Sequence, residues 1–147
     1  MKSFLQIIAS LVCLAALTAC GGGSGSTPSA NQPTSLSVVD TVAGTGAAAV
    51  AGKSITVTYT GWVYDANAAM FHGGQFDTSV GRSPPSFTLV LGAGSVIAGW
   101  DQGVLGMKVG GKRTLIIPAG LAYGSSANGA IPANSGLVFD IALLSVN

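Results

Sequence analysis

Phe87-Thr88-Leu89-Val90-Leu91-Gly92, followed three residues later by Val96-Ile97-Ala98-Gly99-Trp100-Asp101-Gln102-Gly103-Val104, decides how this chain folds. The first stretch puts Phe87, Leu89 and Leu91 on one face, the period of two of a half-buried β-strand. In the second, Ile97, Trp100 or Asp101, and Val104 recur at helical spacing, which predicts one short helix from Val96 to Leu105. Gly99 and Gly103 each weaken that helix by about 1 kcal/mol relative to alanine. Such glycines make sense where a helix lies close against another surface. Working outward, Ile55, Val57 and Tyr59 alternate with Thr56, Thr58 and Thr60, and Leu115 and Ile117 stand opposite Thr114 and Ile116. Leu137, Phe139, Ile141 and Leu143 close the chain as a fourth strand pattern, and no internal repeat is visible. Strands joined without intervening helices, plus one short helix, imply an α+β domain: an antiparallel sheet wrapped on that helix.

With 147 residues there is room for one domain and little more. Residues 1–19 read as a signal peptide, with Lys2 as its positive start, an apolar stretch from Phe4 to Leu17 and small residues before Cys20. That stretch is too short for a stable bilayer span, which takes about 20 apolar residues. Leu17-Thr18-Ala19-Cys20 looks like a bacterial lipobox, in which cleavage leaves Cys20 as a lipid-bearing first residue; ordinary signal cleavage nearby is the alternative. Gly21 after that cysteine, in place of aspartate, resembles the pattern of lipoproteins held in the outer membrane facing the periplasm. The expected product is an exported, lipid-anchored envelope protein that meets the membrane through the lipid on Cys20.

Residues 20–34 contain no large apolar side chain and read as a flexible Gly/Ser/Pro-rich tether, leaving 35–147 as the folded domain. Cys13 lies in the removed segment and Cys20 would carry lipid, so the domain has no thiol and no disulfide. Without Lys2, the basic residues Lys53, Arg82, Lys108, Lys112 and Arg113 balance Asp40, Asp65, Asp77, Asp101 and Asp140. A neutral chain argues against nucleic acid as a partner.

Composition also narrows the chemistry. There is one histidine, His72, no glutamate, and the aspartates are scattered singly, so paired-carboxylate catalysis is not expected. His72 sits in the loop-like Met70-Phe71-His72-Gly73-Gly74 without a second ligand type nearby; solvent exposure is its default reading, and no metal is expected. No Gly-x-Ser-x-Gly elbow accompanies the serines, and neither Gly21-Gly22-Gly23 nor Gly110-Gly111-Lys112 has the spacing of a phosphate loop. What remains is chemistry that needs no proton donor and no cofactor.

Five segments occur in a fixed order: Tyr59-Thr60-Gly61, Phe76-Asp77-Thr78-Ser79, Val96-Ile97-Ala98-Gly99-Trp100, Ala122-Tyr123-Gly124 and Leu137-Val138-Phe139-Asp140. Together they resemble the FKBP family of peptidyl-prolyl cis-trans isomerases over residues 35–147. The resemblance implies a curved antiparallel β-sheet wrapped around one short α-helix. It also implies acceleration of rotation about Xaa-Pro bonds in exported polypeptides, assisting their folding, and sensitivity to macrolide inhibitors of the tacrolimus type.

Carried over position by position, Trp100 matches the floor under the substrate proline ring, and Tyr59, Phe87 and Phe139 match its aromatic walls. Val96 and Ile97 match the rim, where the Ile97 N–H would meet a substrate carbonyl, and the Tyr123 hydroxyl would hold another. Phe76 and Asp77 match the Phe-Asp pair, with Arg82 placed to pair with a buried Asp77, and Ile131 matches an apolar rim residue. Taken singly, Tyr59, Phe87 and Phe139 are as readily core residues, and Phe76-Asp77-Thr78-Ser79 reads equally as a local Asx-type turn. A non-catalytic module that binds proline-containing peptides, as a chaperone or adhesin, is the alternative function; a β-domain that only packs on a neighbour is a third. The chain departs from the family's shorter members in a longer Gly61–Gln75 segment, in Ser95 where many carry glutamate, and in a shorter loop after Tyr123.

Overall fold

The computed structural model describes residues 32–147. The expected signal peptide, Cys20 and nearly all of the tether lie outside the described residues.

Six strands and one short helix follow one another as β1 (Ser37–Val42), β2 (Ser54–Tyr64), β3 (His72–Thr78), β4 (Phe87–Val90), α1 (Ala98–Gly103), β5 (Lys112–Ile117) and β6 (Leu137–Val146). All pairings are antiparallel, in the order β1-β5-β6-β2-β3, with β4 alongside the first part of β2. The α+β expectation therefore holds. β2 is the spine: its alternating side chains bury Ile55, Val57 and Tyr59 on the inner face and leave Thr56, Thr58 and Thr60 outward. From β6, Leu137, Phe139, Ile141 and Leu143 join them, and from β5, Leu115 and Ile117.

α1 lies on this inner face, and the two glycines explain how closely. A methyl group on Gly103 would stand 2.7 Å from both methyl carbons of Leu115, and one on Gly99 would meet the Ile117 side chain. The helix surface facing β5 is thus bare backbone seated on fully buried aliphatics. The cost of two glycines in a helix is offset by that close approach, which lowers Trp100 into the sheet.

The helix is shorter than its spacing predicts. Ile97 is extended (φ −59°, ψ 150°) as the residue before the first turn, and Gly106 adopts φ +79° just beyond the end. β1 and β3 lack a clean apolar alternation and are not among the strand patterns read from the sequence; β1 is nearly all exposed, and β3 pairs with β2 through register shifts at Gly61/Trp62 and Trp62/Tyr64. The Gly61–Gln75 segment is the end of β2, a single 3₁₀ turn at Ala69–Phe71 and the start of β3, a hairpin on the sheet edge.

His72 departs from the expectation of an exposed loop residue. It opens β3, and its ring stacks on Trp62 at 3.8 Å and an interplanar angle of 4°. Its Nε2 is buried 3.7 Å from an Asp140 oxygen, without a hydrogen bond. The stack depends on cross-strand register, which a single strand's sequence does not display.

Arg113, 8% exposed, fastens the edge strand to the helix. It donates to both Asp40 oxygens from Nε (2.5 Å) and Nη2 (3.0 Å), while Nη1 donates to the carbonyls of Gly103 (2.8 Å) and Leu105 (3.1 Å). The guanidinium hydrogen bond holds the Asp40 carboxyl below its ordinary range. Its contribution is present above the usual carboxylate pKa and fades as pH falls through the lowered value.

The seat of α1 is testable. Gly99→Ala gains about 1 kcal/mol of helix propensity but overpacks Ile117, which costs roughly 1–3 kcal/mol. Thermal or denaturant unfolding is expected to show net destabilisation; a raised melting temperature would show that the contact yields.

Candidate active site

β2, β3, β4, β6 and the segment leading into α1 converge on one cleft of about 210 Å³ lined by Tyr59, Phe76, Asp77, Phe87, Ser95, Val96, Ile97, Trp100, Tyr123 and Phe139. Nine of these ten are residues singled out in the sequence; Ser95 had been noted only as a departure.

Trp100 is 4% exposed yet lines the open cleft. Its indole stands perpendicular to Tyr59 (5.3 Å, 89°), Phe139 (5.3 Å, 89°) and Phe87 (6.3 Å, 82°). Edge-to-face contacts of this kind add about 0.5–1.5 kcal/mol beyond area burial, so the floor and its three walls brace one another. Phe76 meets Phe139 edge-on at 5.5 Å, 87°. Gly61, between them on β2, permits this: a Cβ there would lie 2.7 Å from both rings.

One polar cluster sits on the wall. Asp77 accepts hydrogen bonds from the Tyr59 hydroxyl at Oδ2 (2.6 Å) and from the Thr78 N–H at Oδ1 (2.8 Å), and it pairs with Arg82. The ion pair expected of this segment is present, together with a bond to the neighbouring N–H of Thr78 inside β3 in place of an Asx-type turn. Asp77 is more open than expected, with its side chain 38% exposed, because Arg82 reaches it from solvent. The guanidinium also lies 6.0 Å from the centre of the Tyr59 ring.

Burial first, then the hydrogen bond to Asp77, push the Tyr59 hydroxyl up to about 12. The phenol is therefore a permanent donor at neutral pH. Its stabilising contribution is complete below the ordinary tyrosine value near 10 and is lost as pH rises through the raised one. Ser79, fully buried, anchors the same tyrosine: its Oγ accepts the Tyr59 N–H at 2.9 Å and its own N–H donates to the Tyr59 carbonyl at 2.9 Å. Sequence reasoning missed Ser79; its place after Phe76-Asp77-Thr78 was the only signal.

On the rim, Val96 and Ile97 are half-buried and precede α1. Among the described residues the Ile97 N–H meets no protein acceptor, while its carbonyl takes the Trp100 N–H at 2.9 Å. Tyr123 is 38% exposed at the cleft mouth. Ile131 sits beside this rim. It is 4% exposed, packed in the core, and lines a neighbouring depression shared with Phe76, Asp77 and Tyr123.

A larger depression, about 410 Å³, lies on the outer face of the sheet, lined by Thr58, Thr60, Thr114, Lys112 and Asp140 among others. Tyr59 is its one aromatic lining residue, and the convergence of five segments on Trp100 makes the smaller cleft the candidate site.

The family model for FKBP-type peptidyl-prolyl cis-trans isomerases matches residues 46–144. The chain belongs to this family. It is accordingly a peptidyl-prolyl cis-trans isomerase, and the cleft is where the family signature segments meet. Among relatives, an FK506-binding protein of Neisseria meningitidis serogroup A is 47% identical over 113 residues, covering 76% of this chain and 96% of the relative. FK506-binding protein 1 of Aspergillus oryzae is 46% identical over 108 residues, covering 71% and 91%. Among solved structures, AtFKBP13 superposes with a TM-score of 0.66 at 38% identity, covering 79% of this chain and 96% of that one. FkpA from Escherichia coli has the same TM-score at 35% identity; the match spans 81% of this chain and about half (53%) of FkpA.

The Tyr59–Asp77 bond in this isomerase predicts a spectroscopic signature. In an ultraviolet difference titration, the phenolate step removed by Tyr59→Phe is expected at about 12. A step at the ordinary value near 10 would contradict the arrangement.

Proposed function

We propose that the Trp100 cleft is the seat of catalysis, and that it lowers the rotational barrier without moving a proton. The observation that carries this is the indole floor with perpendicular rings at 5.3 Å on two sides, open above to a cleft whose rim includes an Ile97 N–H that meets no acceptor among the described residues.

Rotation about a peptide C–N bond faces a barrier of about 18–20 kcal/mol because planarity keeps the amide conjugated. Twisting breaks the conjugation and reduces charge separation across the bond. A water-poor aromatic cleft suits the twisted amide better than the planar one. Trp100 receives the proline ring; Tyr59, Phe87, Phe76 and Phe139 exclude water around it. The Ile97 N–H and the Tyr123 hydroxyl donate to carbonyls of the flanking chain and orient it, so that one side of the bond is held while the other turns. Asp77, held by Tyr59, Thr78 and Arg82, presents an oriented carboxylate to the reacting amide. Because each tenfold in rate requires about 1.4 kcal/mol, a millionfold acceleration needs roughly 8 kcal/mol, within reach of desolvation and orientation combined. Macrolides of the tacrolimus type are proposed to occupy the same cleft, in keeping with the relatives' being FK506-binding proteins.

Trp100→Leu, Asp77→Ala and Tyr123→Phe are each expected to lower kcat/KM for a proline tetrapeptide by about tenfold or more, near 1.4 kcal/mol of barrier. Cis-trans exchange measured by NMR, with circular dichroism to confirm folding, checks this. A folded Trp100→Leu variant with full turnover would remove the cleft from the mechanism. The wild-type rate should be flat from about pH 6 to 8, since no histidine lines the cleft and Tyr59 stays protonated.

The cellular setting is a second part of the proposal. Residues 1–19 act as signal peptide, Cys20 bears lipid and 20–34 tether the domain, supported by Leu17-Thr18-Ala19-Cys20 and the Gly/Ser/Pro composition that follows. The substrates are then Xaa-Pro segments of exported polypeptides, met at the outer membrane on its periplasmic side. Metabolic labelling with a clickable fatty acid is expected to tag the wild-type chain and not Cys20→Ala; equal labelling would sink the anchor.

A further inference from the structure

The stretch from Gly92 to Ala98 carries the rim of the cleft, yet no residue in it is buried. It lies between buried Leu91 and buried Gly99; Val96 and Ile97 are half-buried and pack against the core, whereas Gly92 through Ser95 are exposed, so apolar packing does not place the first half of the segment. Among the described residues its backbone bonds are sparse: the Ala93 N–H reaches the Val90 carbonyl at 3.4 Å, and the Ile97 carbonyl accepts from Trp100 and Asp101. The strongest tie comes from a side chain on α1. Asp101 Oδ1 accepts the Gly92 N–H at 2.8 Å, and Oδ2 accepts the Gly94 N–H at 3.3 Å. Gly92 and Gly94 have φ of +79° and +71°, a backbone that glycine tolerates and that turns both N–H groups toward one carboxylate.

We infer that Asp101 is a positioning residue for the isomerase reaction: it ties the rim segment to the helix that carries the floor. Trp100 and Asp101 are neighbours on α1, so the depth of the indole and the position of the Ile97 N–H are set from adjacent residues. A carboxylate with two acceptor oxygens is suited to this, because each takes one N–H and their separation fixes the spacing of the two peptides. Without it, the rim samples positions in which the Ile97 N–H no longer faces the substrate carbonyl, and orientation is lost although the aromatic walls remain.

This inference rests on the proposed role of the cleft, and the experiment separates the two. Steady-state parameters for a proline tetrapeptide are measured for wild type, Asp101→Ala, Asp101→Asn and Trp100→Leu at a temperature where each is folded. Amide hydrogen exchange is followed across residues 92–97. Asp101→Ala is expected to lose about tenfold in kcat/KM, mainly through KM, with faster exchange confined to the rim. Asp101→Asn keeps one acceptor oxygen and is expected to recover about a third of the lost activity or more. If Trp100→Leu is impaired while folded Asp101→Ala stays within about twofold of wild type, the positioning role is wrong and the cleft stands. If Asp101→Ala loses activity only in proportion to its unfolded fraction, the residue is merely structural. Full activity in Trp100→Leu instead overturns the cleft itself.

Discussion

The close seat of α1 on β5 is the contact on which the rest depends. Helices normally face a sheet through side chains, which hold the two backbones apart. Here two glycines give the contact its depth, with Leu115 and Ile117 filling the space that methyl groups would need. Trp100 follows Gly99 directly, so its indole is carried down among Tyr59, Phe87 and Phe139 rather than resting above them. A helix one side chain higher would leave the rings without their perpendicular partner.

A second glycine acts in the sheet as those two act in the helix. Gly61 lies opposite Phe139 on β6 and Asp77 on β3. Its missing side chain lets Phe76 and Phe139 meet across β2, closing one side of the cleft. The polar cluster is built along the same strand two residues earlier, where Ser79 fixes the Tyr59 backbone and Asp77 takes its hydroxyl. One strand thus supplies a wall, a gap and a donor.

Much of this was legible because it is local. The alternation along β2, β4 and β6 and the glycines of α1 are written in the sequence, and the aromatic cluster was reached through five segments in a known order. What was not legible depends on register. Arg113 enters the sequence only as one of five basic residues, yet it is buried by reaching a strand more than seventy residues away in sequence. His72 and Trp62 come together through bulges that shift β3 against β2. Each of these is a pairing between segments, and no single segment carries its trace.

The division of labour between floor and rim follows from the same geometry. Rings that brace one another at right angles leave little freedom to adapt, so in the proposed reading the floor and walls form a rigid receptacle for the proline ring. The segment leading to the rim, Gly92 to Ser95, is exposed, glycine-rich and held by hydrogen bonds, which are cheap to break where water competes. An isomerase must bind cis and trans forms of one bond and pass between them, and the flanking chain takes different directions in the two. A rigid floor with a tethered rim satisfies both demands: the proline stays fixed while the peptide on one side turns. The carboxylates that serve each part differ accordingly. Asp77 is locked by three donors against the wall, whereas Asp101 holds two N–H groups of a segment with no buried side chain, so the adaptable part of the site is the part that must follow the substrate.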